Sequence, residues 1–209
     1  YLKNQIDRKI RGVLNSNSYI LGNEVKKFEK NFSRYLGIKY SLGVSNGTDA
    51  LILALKAIDI KRDDEVITTS HTAFATIAAI REVGAIPVFI DIKEDDFTID
   101  TKYLKKKINK KTKAIIVVHI YGNPADILTV QKIAKKKKLI LIEDCAQAHG
   151  AEYNKKKVGT FGDFSCFSFY PTKNLSTFGD AGMVSTNNSK LFQRLKLSRE
   201  YGWIKKILV

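Results

Sequence analysis

An α/β fold on a mostly parallel sheet is predicted by two features of this 209-residue chain: short β-branched runs alternate with helix-spaced apolar segments throughout, and most of those runs are apolar without interruption. With 44% hydrophobic residues the chain can fill one full core. Residues 3–14 and 24–36 space their apolar side chains as Ile6, Ile10, Val13, Leu14 and as Val25, Phe28, Phe32, Leu36, with charges between, which predicts two surface helices. Strands follow at 41–45, 66–69, 86–91, 114–120, 139–144, 164–169 and 182–186. Most of them read as buried on both faces. Helical spacing fills the intervals at 48–58, 72–83, 101–108, 125–137 and 188–199. No internal repeat or long linker divides the chain, so residues 1–209 read as one domain.

Composition narrows the function classes. The net charge of +15 raises nucleic-acid binding, but only seven of the 36 basic residues are arginine. The lysine runs at 105–107, 135–138 and 155–157 read as solvated faces and turns, so no nucleic-acid partner is expected. No apolar run reaches the roughly 20 residues of a membrane helix, and the polar opening YLKNQIDRKI lacks a secretory h-region. Cys145 and Cys166 lie in apolar stretches, too few for a disulfide framework or a cysteine metal site. A cytoplasmic protein with no membrane partner and no metal is expected. The chain opens on Tyr1 and stops after WIKKILV with no helix stop signal, which reads as part of something longer.

Ligands of such sheets gather at the carboxyl ends of the strands, and there this sequence concentrates its chemistry. At 45–51, SNGTDAL places Gly47 and Thr48 where a strand turns into a helix. Free N–H groups and the positive helix end suit a phosphate, although Asn46 or Thr48 could equally be a plain N-cap. Asp144 closes the apolar strand LILIED, with Glu143 expected on the opposite face. A carboxylate held at the rim of the core needs a cationic partner, which can be a protonated heterocycle nitrogen or one of many lysines. Lys173 follows an aromatic strand and Pro171, away from any amphipathic helix. Partial desolvation would make its amine a nucleophile able to form a Schiff base with an aldehyde, whereas a surface lysine would only snorkel. Ser168 precedes it on the strand and offers a second hydroxyl, and Gly179 and Gly182 predict a tight turn with close backbone approach. His119 and Tyr121 could touch substrate or cap a loop, His149 could be structural, and Glu143 reads as a packing or helix-cap partner. A phosphate cup, a carboxylate for a ring nitrogen and an imine-forming lysine together match pyridoxal 5′-phosphate.

Over essentially its whole length the chain resembles the sugar aminotransferases of the DegT/DnrJ/EryC1/StrS family. The likeness is carried by YILGNEVKKFEKNFSRYLGIKY, SNGTDAL, DEVITTSHTAFATIAAI, VHIYGNPADI, IEDCAQAHGA and GTFGDFSCFSFYPTKNLSTFGDAGMV. The resemblance implies a large domain of the aspartate aminotransferase type that binds pyridoxal 5′-phosphate. Lys173 would hold the cofactor as a Schiff base and shuttle the proton, and Asp144 would pair with the pyridine nitrogen. Gly47, Thr48 and Ser168 would bind the phosphate, and Gln147 would sit near the ring hydroxyl. It further implies a homodimer that aminates a keto group on a nucleotide-linked deoxysugar, dTDP-3-keto-6-deoxyhexose by the wording of HIYGNPAD and SFYPTKNL, with glutamate as amino-acid donor. Two departures stand out. Ala73 follows Thr72 where the family carries an aromatic that stacks on the ring, leaving Phe74 or His71 as substitutes. After a REYGW-like segment, Arg199 to Trp203, the family continues into a smaller C-terminal domain, whose absence raises the alternative of a truncated, non-catalytic homologue.

Overall fold

The computed structural model describes residues 2–200 and 202. Two helices open the chain, α1 (Leu2–Ser16) and α2 (Asn23–Leu36). Then come β1 (Tyr40–Val44), α3 (Gly47–Ala57), β2 (Glu65–Thr69), α4 (Phe74–Glu82), β3 (Ile86–Ile90), α5 (Thr101–Lys107), β4 (Thr112–Val118), α6 (Ile127–Lys137) and β5 (Ile140–Asp144). A short pair, β6 (Glu152–Tyr153) and β7 (Lys156–Lys157), precedes β8 (Phe164–Ser168), β9 (Gly182–Thr186) and α7 (Ser189–Arg199). Seven strands form one sheet in the order β1-β9-β8-β5-β4-β2-β3. All run parallel except β9, which is antiparallel to both β1 and β8.

Strand alternation sorts side chains onto two helical layers. Ala114, Ile116, Ile142, Phe164 and Cys166 pack with Leu51 and Leu55 of α3, Ile80 of α4 and Leu195 of α7. Their neighbours Ile115, Val117 and Leu141 face the other way, onto Leu104 of α5 and Ile127, Val130 and Ile133 of α6. Phe167, Phe169 and Met183 bury Phe32 and Leu36 of α2 on that second side. Each buried Leu or Phe contributes roughly 1.5–3 kcal/mol. Caps fix where the helices begin and end. The Asn46 side chain accepts the Asp49 N–H at 2.8 Å to start α3, and Gly37, at φ 79°, closes α2 by donating its N–H to Ser33 O.

The fold departs from the sequence pattern in three places. The β6–β7 hairpin was not anticipated, because its turn residues Asn154 and Lys155 take positive φ (50° and 62°) without the glycine that usually announces such a turn. β3 is an edge strand that leaves Phe89 42% exposed, so it is not buried on both faces. The run at 114–120 ends early: β4 stops at Val118, and Ile120–Gly122 form a 3-10 turn. Of the REYGW-like segment, Tyr201 and Trp203 lie outside the described residues, as do residues 204–209.

Candidate functional site

Asp144 is the last residue of β5 and only 6% exposed. Alternation puts it on the α3/α4 side, where Thr76 of α4 donates its hydroxyl to Oδ2 at 2.9 Å and the Ala146 N–H donates to Oδ1 at 3.1 Å. Thr72 stands behind, its Oγ1 2.8 Å from that of Thr76. Neither partner of the carboxylate is charged. Among the described residues no ammonium or guanidinium lies within 4.0 Å of it, so the structural ion pair is not formed. Burial therefore raises the Asp144 pKa above the ordinary carboxylate value, with the Ala146 N–H and the Thr76 hydroxyl opposing the rise. A cation delivered by a ligand would answer that desolvated charge.

Glu143, one residue earlier, points to the other face, as alternation requires, and is fully buried. It accepts the N–H groups of Gly159, Phe161 and Gly162 at 2.7, 2.8 and 2.6 Å, and His119 Nε2 lies 3.2 Å away. His119 Nδ1 accepts the Ala125 N–H at 3.1 Å, so the ring proton sits on Nε2 and is donated to Glu143. The loop-capping reading of His119 holds. Glu143 clamps a loop rather than a helix end, which corrects the helix-cap expectation.

The residues expected to cradle a phosphate come together although Gly47 and Ser168 lie far apart in sequence. A Cβ on Gly47 would sit 2.8 Å from the Ser168 Cβ, and one on Gly182 would sit 2.2 Å from the Asn46 carbonyl oxygen. Glycine is thus required at both positions for the first turn of α3 to lie against the ends of β8 and β9. Asn46 is the N-cap and satisfies Asp49, while Gly47 and Thr48 supply the remaining first-turn N–H groups. The Ser168 hydroxyl, half-buried Thr48 and those N–H groups share one corner with the positive end of α3. Gly182→Ala is expected to cost about 1–3 kcal/mol of stability and to weaken anion binding as it pushes the α3 turn away. Paired thermal melts and phosphate titrations check both effects.

Lys173 is half-buried in a loop, 170–180, that is otherwise exposed. Its N–H donates to Tyr170 O at 2.8 Å, which turns the chain back after β8. Its charge acts on Asp144 and on His149. The His149 ring packs 5.5 Å from those of Phe167 and Phe169, and burial lowers its pKa, with Lys173 reinforcing the shift. Gln147 uses Oε1 to accept the Tyr121 N–H at 2.8 Å, which leaves its amide N–H groups as donors. The two substitutes for the missing aromatic go different ways. His71 Nε2 lies 3.2 Å from the Tyr121 hydroxyl, and Phe74 stands 82% exposed at the start of α4.

Sequence reasoning missed Thr72 and Thr76. Their signal was present as two threonines four apart, Thr72 just before the Ala73 N-cap of α4 and Thr76 in its first turn. It also missed the Glu143 clamp, which fixes the strand on which Asp144 sits.

The residues fit pyridoxal phosphate on two counts visible in the fold: a buried carboxylate with no charged partner among the described residues, and a glycine-dependent cradle at a helix N-terminus. Comparison with known proteins agrees. The model of the DegT/DnrJ/EryC1/StrS aminotransferase family matches residues 1–207. The chain is 48% identical, over 202 residues, to a dTDP-3-amino-3,6-dideoxy-alpha-D-galactopyranose transaminase of Aneurinibacillus thermoaerophilus, covering 97% of this chain and 56% of that one. Its structure is similar to that of DesV from S. venezuelae in complex with a ketimine intermediate (TM-score 0.95, 41% identity, 99% of this chain and 56% of that one). It is also similar to NtdA from Bacillus subtilis with bound cofactor PMP (TM-score 0.90, 30% identity, 99% and 48%). The chain spans about half the length of the curated relatives it matches. It belongs to the DegT/DnrJ/EryC1/StrS aminotransferase family, whose cofactor is pyridoxal 5′-phosphate.

Proposed function

We propose that residues 1–209 are the cofactor-binding large domain of an aminotransferase that converts a keto group on a nucleotide-linked deoxysugar to an amine. The substrate we favour is a dTDP-3-keto-6-deoxyhexose, with glutamate as donor and a homodimer as the working form. One observation carries the reading: Asp144, buried at the carboxyl end of β5, has no cationic partner among the described residues. The name of the Aneurinibacillus relative supports the 3-amino position and the dTDP carrier. No helix in the described residues is long and apolar enough to cross a membrane, which is compatible with a cytoplasmic site of action.

Bound pyridoxal phosphate supplies an electron sink that lets a carbon next to nitrogen lose its proton. The chain's residues would do the rest. Lys173 Nζ would take the cofactor's aldehyde and, once released, carry the proton between substrate and cofactor carbons as general base and then acid. Asp144 would keep a proton on the ring nitrogen, held in place by Thr76 and Ala146. Gly47, Thr48 and Ser168 would bind the phosphate, and the free amide donors of Gln147 would meet the ring hydroxyl.

Purified protein loaded with pyridoxal phosphate should show a visible absorbance band that borohydride bleaches, and Lys173→Ala should lack it. No band in the wild type, or a band that survives the substitution, overturns the assignment of Lys173. A band without amination of a dTDP-3-keto-6-deoxyhexose would overturn the substrate.

A further inference from the structure

Most of the net charge of this protein is local. Residues 102–138 carry twelve lysines against one acidic residue, Asp126, and so hold +11 of the total +15. A lysine-rich composition spread evenly would not do this. All twelve are exposed, and only Lys113 approaches a carboxylate, that of Asp64 at 4.0 Å, among the described residues.

The fold gathers most of them at one end. Lys105, Lys106 and Lys107 end α5, Lys110, Lys111 and Lys113 surround the start of β4, and Lys135 to Lys138 end α6 just before β5 begins. Helix ends and strand beginnings of a parallel sheet lie opposite the strand carboxyl ends, so this surface faces away from Asp144 and Ser168. Lys105 of α5 and Lys132, Lys136 and Lys137 of α6, with Thr129 and Ile133, line one groove of about 440 Å³. The negative carbonyl ends of two helices attract cations, but Lys132 lies outside the last turn of α6. Lys132 and Lys136, four apart, repel each other. Such a concentration of unpaired like charge calls for an anionic partner.

We propose that this lysine-covered end of the sheet docks on the surface of an anionic phospholipid bilayer, by electrostatic contact without insertion. The chemistry of the patch selects that partner over nucleic acid. Every cation on α5, the start of β4 and α6 is a lysine, and no arginine occurs between residues 101 and 138 to fork onto a base or a phosphate pair; Arg62 and Arg81, by the start of β2 and the end of α4, are offset in sequence by Asp63, Asp64, Glu65 and Glu82. Point charges spread over two helix ends and the strand between them match a lattice of headgroup phosphates. The groove between α5 and α6 gives single headgroups a place among the side chains of Lys105, Lys132, Lys136 and Lys137. Docked in this way, the protein keeps the carboxyl edge of its sheet open to solvent. The proposal stands apart from the chemistry at that edge.

Co-sedimentation with vesicles tests it, using the whole chain. Binding is expected to vesicles containing about 30% phosphatidylglycerol and not to pure phosphatidylcholine, with release at about 0.5 M NaCl. Reversing Lys105, Lys136 and Lys137 to glutamate should weaken binding by more than about tenfold. The same reversal at exposed Lys3, Lys30 and Lys190, which matches the change in net charge, should preserve most of it. Circular dichroism of both variants should match the wild type. Equal loss in the two variants, indifference to lipid charge, or binding to single-stranded RNA with none to vesicles would each overturn the proposal.

Discussion

Asp144→Asn is expected to weaken pyridoxal phosphate binding by about 30-fold to several-thousand-fold, the effect of removing one partner from a buried charge pair worth about 2–5 kcal/mol. The asparagine keeps the shape of the site and can still accept the Ala146 N–H, so the loss reports charge rather than packing. Stability should move the opposite way. Burial raises the Asp144 pKa above its ordinary value of 3.8, so in the cofactor-free protein a penalty on the fold builds as the pH rises from the unfolded value and is complete above the folded-state value. Below the unfolded value the group is protonated in both states and the penalty vanishes. The variant should therefore melt at or above the wild-type temperature at pH 7, with the advantage gone near pH 3.8 and below. A cofactor titration with melts at the two pH values checks both halves. An affinity equal to the wild type would show that Asp144 meets no cation.

Glu143→Gln should be strongly destabilising although it is nearly isosteric. Glu143 accepts four donors with two oxygens, all out of contact with water. An amide can keep the Phe161 and Gly162 N–H groups on its oxygen, but its NH₂ then confronts the Gly159 N–H and the His119 Nε2–H. The imidazole cannot relieve the conflict by moving its proton, because Nδ1 must stay bare to accept from Ala125. At least one buried donor is left unpaired whichever tautomer forms, at a cost of about 2–4 kcal/mol, which lowers Tm by about 5–15 °C. Thermal unfolding followed by circular dichroism measures it, and a drop under about 2 °C would mean that the 159–162 loop does not depend on this carboxylate.

Much of the fold was legible because periodicity is a strong signal where strands are buried on both faces and helices on one. LILIED and GMVST announce themselves as strands, and the spacing of Val25, Phe28, Phe32 and Leu36 announces a helix. The short β6–β7 hairpin carries no such signal, since two-residue strands have no period and the turn at Asn154 lacks glycine. At the strand ends, Asp144, Ser168 and the Gly47 turn could be picked out by residue type and position, and the fold brings them to one edge of the sheet. Thr76 and the Glu143 clamp could not, because their roles come from which helix lies over β5 and which loop passes beneath it. Those are facts of tertiary packing. The split between Asp144 and Glu143 shows the border between the two kinds of knowledge. Alternation predicts that they diverge, and only the fold shows that one is left without a charged partner while the other is saturated with donors.

The strand order has a temporal meaning as well. Among the described strands β1 borders only β9, so during synthesis it waits for roughly 140 further residues to emerge before it has a neighbour to pair with. The corner formed by Gly47, Ser168 and Gly182 closes at that same moment. The central parallel strands of a nascent chain can pair early, whereas that corner is complete only after residues 40–48 and 164–186 have met across the sheet.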